Sequence, residues 1–123
     1  MKFQAEVQTS LNTVTAYGAD FVEINRQRHG HAVLVTPGDA VTPWEVEGFE
    51  ALAPAHFEAV LALAPEVVLL GTGTRQRFPH PRLTEALARA RIGVEVMDTP
   101  AACRTYNILM SEGRRVVAAL MLG

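Results

Sequence analysis

The residue with the most reactive chemistry in this chain is Cys103, set in the stretch MDTPAACRTYN that spans residues 97–107. A thiol near the start of a helix, beside a cation, can have its pKa lowered and supply thiolate at neutral pH. Cys103 follows Thr99 and Pro100, an N-cap residue and a first-turn proline, and Arg104 is its neighbour. Asp98, Thr105 and Asn107 are polar groups close by, but no histidine is near in sequence to act as a base. Ala101 and Ala102 point the other way, to tight helix packing around a thiol of the commonly buried kind. Packing is the better reading and a Cys103 nucleophile the competing one.

A second group of residues could hold an anion. In open α/β sheets, ligands bind outside the carboxyl ends of parallel strands. GTGTRQRFPHP follows one such strand, with Gly71, Thr72 and Gly73 exposing backbone and Arg75 and Arg77 carrying charge. DTPAAC follows the next and offers a helix amino end. Together the two loops are expected to form a pocket for a carboxylate or phosphate, if the strand order lets them meet. The glycines match neither a Walker loop nor a dinucleotide fingerprint, because no Gly-Lys-Ser/Thr follows and Gln76 stands where a third glycine is needed.

Other constellations are weaker. His29 and His31 would share a strand face, but no third ligand is placed among Asp20, Glu23, His56 and His80, so no metal site is expected. Ser111 lacks the Gly-x-Ser-x-Gly context of a hydrolase elbow. Trp44, between Pro43 and Glu45, reads equally as an interface anchor or as the end of the core.

The elements that must position these residues follow from periodicity. TVTAYGADFVEIN reads as two short strands around a Gly18-Ala19-Asp20 turn, HAVLVTP as a third, and VTPWEVEG as an edge strand because of Pro43. PAHFEAVLALAP spaces Phe57, Val60, Leu61 and Ala64 as an amphipathic helix closed by Pro65. EVVLL is a strand buried on both faces, HPRLTEALARAR a helix with Leu83, Ala86, Leu87 and Ala90 on one side, and GVEVM a strand. The third helix runs from Thr99 to about Glu112, Gly113 stops it, and RVVAALML is a central strand. The expected fold is a three-layer α/β single domain over 11–123, with a mixed central sheet. Antiparallel N-terminal strands are followed by three helix-strand units, and residues 1–10 form an arm.

Composition bounds the function. The 123 residues are 49% hydrophobic and 20% charged, which fits a soluble globular chain. A net charge of −2 does not suggest nucleic-acid binding, and one cysteine excludes an internal disulfide or a paired-cysteine zinc site. No signal peptide, transit peptide or membrane span of ~20 residues is visible, so a cytoplasmic protein is expected.

The blocks AYGADFVEIN, PWEV, EVVLLGTG and GVEVMDTPAACRTYNILMSEGRRVVAAL resemble, in order, those of one family. It is the small domain of mitochondrial complex I assembly factor 3, of a human adipogenesis-associated protein and of many bacterial and archaeal proteins. The resemblance covers all but residues 1–10 and the 37–42 turn. Ala19 and Arg26 depart from it, standing where glycine-rich turn residues are expected. It implies a three-layer α/β fold and, by its mitochondrial branch, a non-enzymatic assembly protein working with a partner. It also makes Asp98, Thr99, Cys103, Thr105 and Asn107 motif positions.

The reading is therefore a binding or assembly module without cofactor or metal. Its pocket is drawn from Gly71, Thr72, Gly73, Arg75, Arg77, Asp98, Thr99, Cys103, Arg104 and Asn107. Its partner is a protein or a small anionic ligand, and it acts as a monomer or weak homodimer. The alternative is a small enzyme working on an anionic substrate through a Cys103 thiolate.

Overall fold

The computed structural model describes residues 11–123, so the arm assigned to residues 1–10 lies outside the described residues. Three strands come first: β1 (Val14–Gly18), β2 (Phe21–Ile24) and β3 (Gln27–His29), paired antiparallel in that order. β3 is absent from the sequence reading, since Gln-Arg-His is short, polar and largely exposed and shows no alternation to detect. These strands form a sheet of their own.

The second sheet has five strands in the order β5-β4-β8-β6-β7, comprising β4 (Val33–Val35), β5 (Thr42–Pro43), β6 (Val67–Thr72), β7 (Gly93–Met97) and β8 (Val116–Met121). β6 runs parallel to both β7 and β8, while β4 is antiparallel to β8, giving the expected mixed sheet. Pro43 sits on an edge, where its missing N–H removes no ladder bond. β6 and β8 are buried at every position, as their unbroken apolar runs require of central strands.

Three helices pack on this sheet: α1 (Pro54–Leu61), α2 (Glu85–Arg89) and α3 (Thr99–Ser111). α1 begins with its proline in the first turn, and the Ala53 N–H donates to His56 Nδ1 at 2.9 Å. His56 Nε2 lies 3.1 Å from the Glu45 carbonyl, so both ring nitrogens have backbone partners and the ring is held in one orientation. The second helix departs from the expectation. Pro81–Thr84 is a 3-10 turn, only Glu85–Arg89 is α-helical, and Ala90 is exposed. Leu87 alone of that face is fully buried, so five residues suffice to bury the one side chain that matters.

Two apolar layers flank the central sheet. On one side Val67, Leu69, Ala118 and Leu120 meet Ala102, Cys103, Tyr106 and Met110 of α3, together with Val14, Val22 and Ile24 of the small sheet. On the other, Val68, Leu70, Val117 and Ala119 meet Phe57 and Val60 of α1, Leu87 of α2 and Trp44. Each fully buried side chain of this kind stabilises by roughly 1.5–3 kcal/mol over its exposed state. Trp44 is 3% exposed, stands edge-on to Phe57, and donates Nε1–H to the His56 carbonyl at 3.1 Å. It closes the core and is not an interface anchor.

The β2–β3 hairpin turns on Asn25 and Arg26, with φ of 54° and 70°. A two-residue turn of this left-handed kind favours glycine at its second position, and arginine there is strained by its Cβ. Arg26→Gly should therefore raise stability by about 0.5–1 kcal/mol, after the extra freedom glycine gives the unfolded chain. A urea midpoint no higher than that of the parent would show the turn to be unstrained.

Candidate functional site

The carboxyl ends of β6 and β7 lie side by side, and the two loops expected to form a pocket do meet. Thr99 N–H donates to the Gly73 carbonyl at 2.8 Å, and Gly73 N–H donates to Thr99 Oγ1 at 2.8 Å. Thr99 Oγ1–H in turn donates to the Met121 carbonyl of β8 at 2.6 Å. One threonine hydroxyl thus ties the first loop, the helix start and the end of the neighbouring strand.

The contact is too close to leave a pocket between the loops themselves. A Cβ on Gly71 would stand 2.9 Å from Thr99 Oγ1 and 3.1 Å from Thr99 Cα, closer than side chains tolerate. Glycine is therefore required at position 71. Gly71→Ala should cost about 1–3 kcal/mol through forced displacement of the helix start, read as a drop in urea midpoint. A midpoint equal to the parent's would mean that α3 can back away without loss.

A cleft of about 320 Å³ opens beside this seam, walled by Tyr17, Gly18 and Ala19 of the β1–β2 turn and by Gly73, Thr74, Thr99 and Pro100. It lies near the place the topology suggests, but among the described residues no charged side chain lines it. Neither Arg75 nor Arg77 lines it. The Thr72 hydroxyl donates to the Arg75 carbonyl at 2.7 Å and accepts the Arg77 N–H at 3.1 Å, curling that loop away. Arg77 pairs with Glu50 and lies 4.2 Å above the Phe49 ring, and its hydrogen bond holds the Glu50 carboxyl below the ordinary value. Arg75 is exposed.

The helix amino end is also occupied. Asp98, not Thr99, is the N-cap, and its carboxylate accepts the Ala101 N–H at 2.8 Å. The cap falls one residue earlier than expected because Thr99 already has helical position and uses its hydroxyl on the sheet. Thr99 N–H goes to Gly73, Pro100 has none, and Ala102 N–H bonds the Asp98 carbonyl at 3.0 Å. No first-turn donor is left for an anion, although such ends commonly offer several.

The remaining motif residues are likewise engaged. Asn107 brackets Val14, accepting its N–H and donating to its carbonyl, each at 2.9 Å, and so fixes α3 to the small sheet. Tyr106 is fully buried and its hydroxyl donates to the Asn12 carbonyl at 2.7 Å. Arg104 reaches across to the Tyr17 hydroxyl at 2.8 Å on the rim of the cleft. Cys103 is 1% exposed, and burial pushes its thiol up to about 12, with the Arg104 charge opposing more weakly. It is protonated and enclosed at neutral pH, which is the packing reading.

His29 and His31 do come together, with ring centroids 5.9 Å apart, and burial followed by the neighbouring His31 lowers the His29 pKa. Among the described residues no three metal-ligating side chains gather in one place. Ser111 only donates back to the Ile108 carbonyl at 2.8 Å, as helix-end serines do. A second cleft of about 350 Å³ lies at the opposite end of the sheet, against Leu11, Pro37, Leu63, Pro65, Met110 and Val116. Its walls are largely aliphatic, and the ionisable groups among its described lining residues are Asp39, Arg114 and Arg115.

Sequence reasoning missed Tyr17, Gly18 and Thr74 as walls of the first cleft. The GADF turn is visible in the sequence, but nothing local says that it folds over the start of α3. The same holds for the pairing of Arg104 with Tyr17.

Residues 14–121 match the model of a family described as "Protein of unknown function (DUF498/DUF598)". The "13 kDa major membrane protein" of Francisella tularensis is 33% identical over 72 residues, 58% of this chain and 58% of that protein. Among the described residues no helix is long and apolar enough to cross a membrane. The mouse "NADH dehydrogenase [ubiquinone] 1 alpha subcomplex assembly factor 3" is 39% identical over 83 residues, 66% of this chain and 45% of its own. The chain thus spans about half the length of the curated relatives it matches first. A crystal structure of a Bordetella parapertussis protein shares the fold with a TM-score of 0.88 and 46% identity, covering 93% of this chain and 98% of the other.

Proposed function

The chain belongs to the DUF498/DUF598 family of proteins of unknown function, and from that premise we propose that it is a non-enzymatic, protein-binding module with an assembly-factor-like role. The observation that carries this reading is the fate of the 98–107 block. Asp98 caps a helix, Thr99 joins a loop and the end of β8 to the helix start, Cys103 fills the core, and Asn107 clamps β1. Side chains that read as a reactive cluster are used in holding the layers together, which suits a scaffold more than a catalyst.

The partner in this reading is another protein. A small anionic ligand is less well served, because among the described residues no charged side chain lines the cleft and the helix-end donors are taken. An enzyme acting through Cys103 would need an accessible thiolate, and burial weighs against both halves of that requirement. A cytoplasmic site of action belongs to the same proposal.

The role is tested by deleting the protein from its source and resolving membranes on native gels. Assembled NADH dehydrogenase should fall and should return when the chain is supplied again. An unchanged amount and activity of that enzyme would contradict an assembly role of this kind.

A further inference from the structure

We propose that Phe78 is the anchor by which this chain docks on its protein partner, and that the partner presents an apolar pocket with an acidic rim. The inference rests on the protein-binding reading above and names the surface and the chemistry of the partner.

Among the described residues Phe78 is the most exposed large hydrophobic, at 72%, against 57% for Ile108 and 38% for Tyr17. A single exposed apolar side chain needs no explanation by itself. What sets Phe78 apart is how firmly the chain on both sides is held. Before it, Gln76 donates to the Val96 carbonyl at 2.8 Å, and Arg77 is fixed by Thr72, by Glu50 and by the Phe49 ring. After it, Pro79 fixes the backbone, His80 Nδ1 accepts the Arg82 N–H at 3.1 Å, and the His80 carbonyl accepts the Leu83 N–H at 2.9 Å. The ring is therefore held out into water on a tethered loop. Presenting an aromatic in advance in this way lowers the ordering entropy that docking otherwise costs, and buried aromatics dominate interface energies.

Charge says what kind of pocket receives it. Arg75 before Phe78 and Arg82 in the 3-10 turn after it are both exposed, and neither has an acidic partner within ion-pair distance among the described residues. The nearby acids are already taken: Glu50 by Arg77 and Glu85 by Arg89 at 2.9 Å. Arg75 reaches Glu50 only as a weaker, longer-range influence. An aromatic knob accompanied by uncompensated cations is complementary to an acidic rim, which would steer encounter and fix orientation.

The test places a photo-crosslinking phenylalanine analogue at position 78 of the full chain in cells, with position 108 as the exposed control. One protein should crosslink at 78 and not at 108, through a segment rich in Asp and Glu. With that protein purified, Phe78→Ser should weaken binding roughly tenfold or more. Arg75→Glu with Arg82→Glu should slow association and flatten its salt dependence. Both changes lie on the surface, so folding is retained. The proposal is overturned if position 78 crosslinks nothing beyond the control, or if Phe78→Ser leaves the affinity unchanged. It is also overturned if the loop proves to be a membrane contact, seen as Phe78-dependent sedimentation with phosphatidylglycerol vesicles but not phosphatidylcholine. Phe78→Ser restoring assembled NADH dehydrogenase in the deletion strain as fully as the parent would overturn the anchor while leaving the assembly role standing. A Phe78-dependent partner in a strain whose NADH dehydrogenase is unaffected by the deletion would do the reverse.

Discussion

Thr99→Val should destabilise the fold by about 2–6 kcal/mol, although it exchanges one methyl-sized group for another. The hydroxyl it removes is the single acceptor of the Gly73 N–H and a donor to the Met121 carbonyl, and Thr99 is only 3% exposed. Valine fills the same space and leaves both backbone groups buried without that partner, each costing roughly 1–3 kcal/mol. The loss should show in urea denaturation as a lower midpoint with an unchanged slope. Thr99→Ser, which keeps the hydroxyl, should lose far less. A valine variant within about 1 kcal/mol of the parent would mean that water satisfies these groups and that the seam is not closed.

Stability should also fall steeply as pH rises above 9, and Cys103 should be a main reason. Its thiol has an ordinary value of 9.0 in the unfolded chain and is raised to about 12 in the folded one, chiefly by burial. Between those values the unfolded state has lost a proton that the folded state keeps, so the folded state binds more protons and stability falls with pH. The slope is about 1.4 kcal/mol per pH unit for one such group, reaching ~4 kcal/mol by pH 12. Well below pH 9 the thiol is protonated in both states and contributes no pH dependence. Tyr106, also raised by burial from an ordinary 10.0, adds a second loss in the same direction that starts higher. Cys103→Ala separates the two. It should lower stability at pH 8 by on the order of 1 kcal/mol for the lost packing, and flatten the curve between pH 9 and 10. An equal slope with and without the thiol would place its ionisation outside the core.

The parts of this architecture legible in the sequence are those set by local pattern. Apolar runs mark β6 and β8 as central strands, three-to-four spacing marks α1, a first-turn proline and a closing glycine mark α3, and Pro43 marks an edge. What escaped was set by partners rather than by local pattern, most of them distant in the chain. β3 has no apolar period and exists because β2 offers it a ladder. The three-stranded sheet separates from the main one because Asn107 and Tyr106 of α3 hold its strands and the segment before them. At the candidate site, the helix cap was misplaced by one residue because Thr99 and Asp98 are both good caps, and only the Met121 and Gly73 partners decide between them. That the two loops would meet followed from strand order, which periodicity does not reveal. That Arg75 and Arg77 would turn away from their meeting point was fixed by the Thr72 hydroxyl and by Glu50, 22 residues before Thr72 in the chain. The alanine neighbours of Cys103 weigh toward packing, and the residue is 1% exposed.

The most direct test of the claim that the 98–107 block is scaffold is the pH dependence of Cys103 alkylation in the folded protein, with the unfolded chain as reference. A buried thiol of this kind should stay unreactive from pH 6 to 9 and label only at the rate of unfolding, while the unfolded chain labels freely as pH approaches 9.0. Rapid labelling of the folded protein near pH 7 would mean an accessible thiolate at the start of α3. It would return the chain to the class of small cysteine-dependent enzymes.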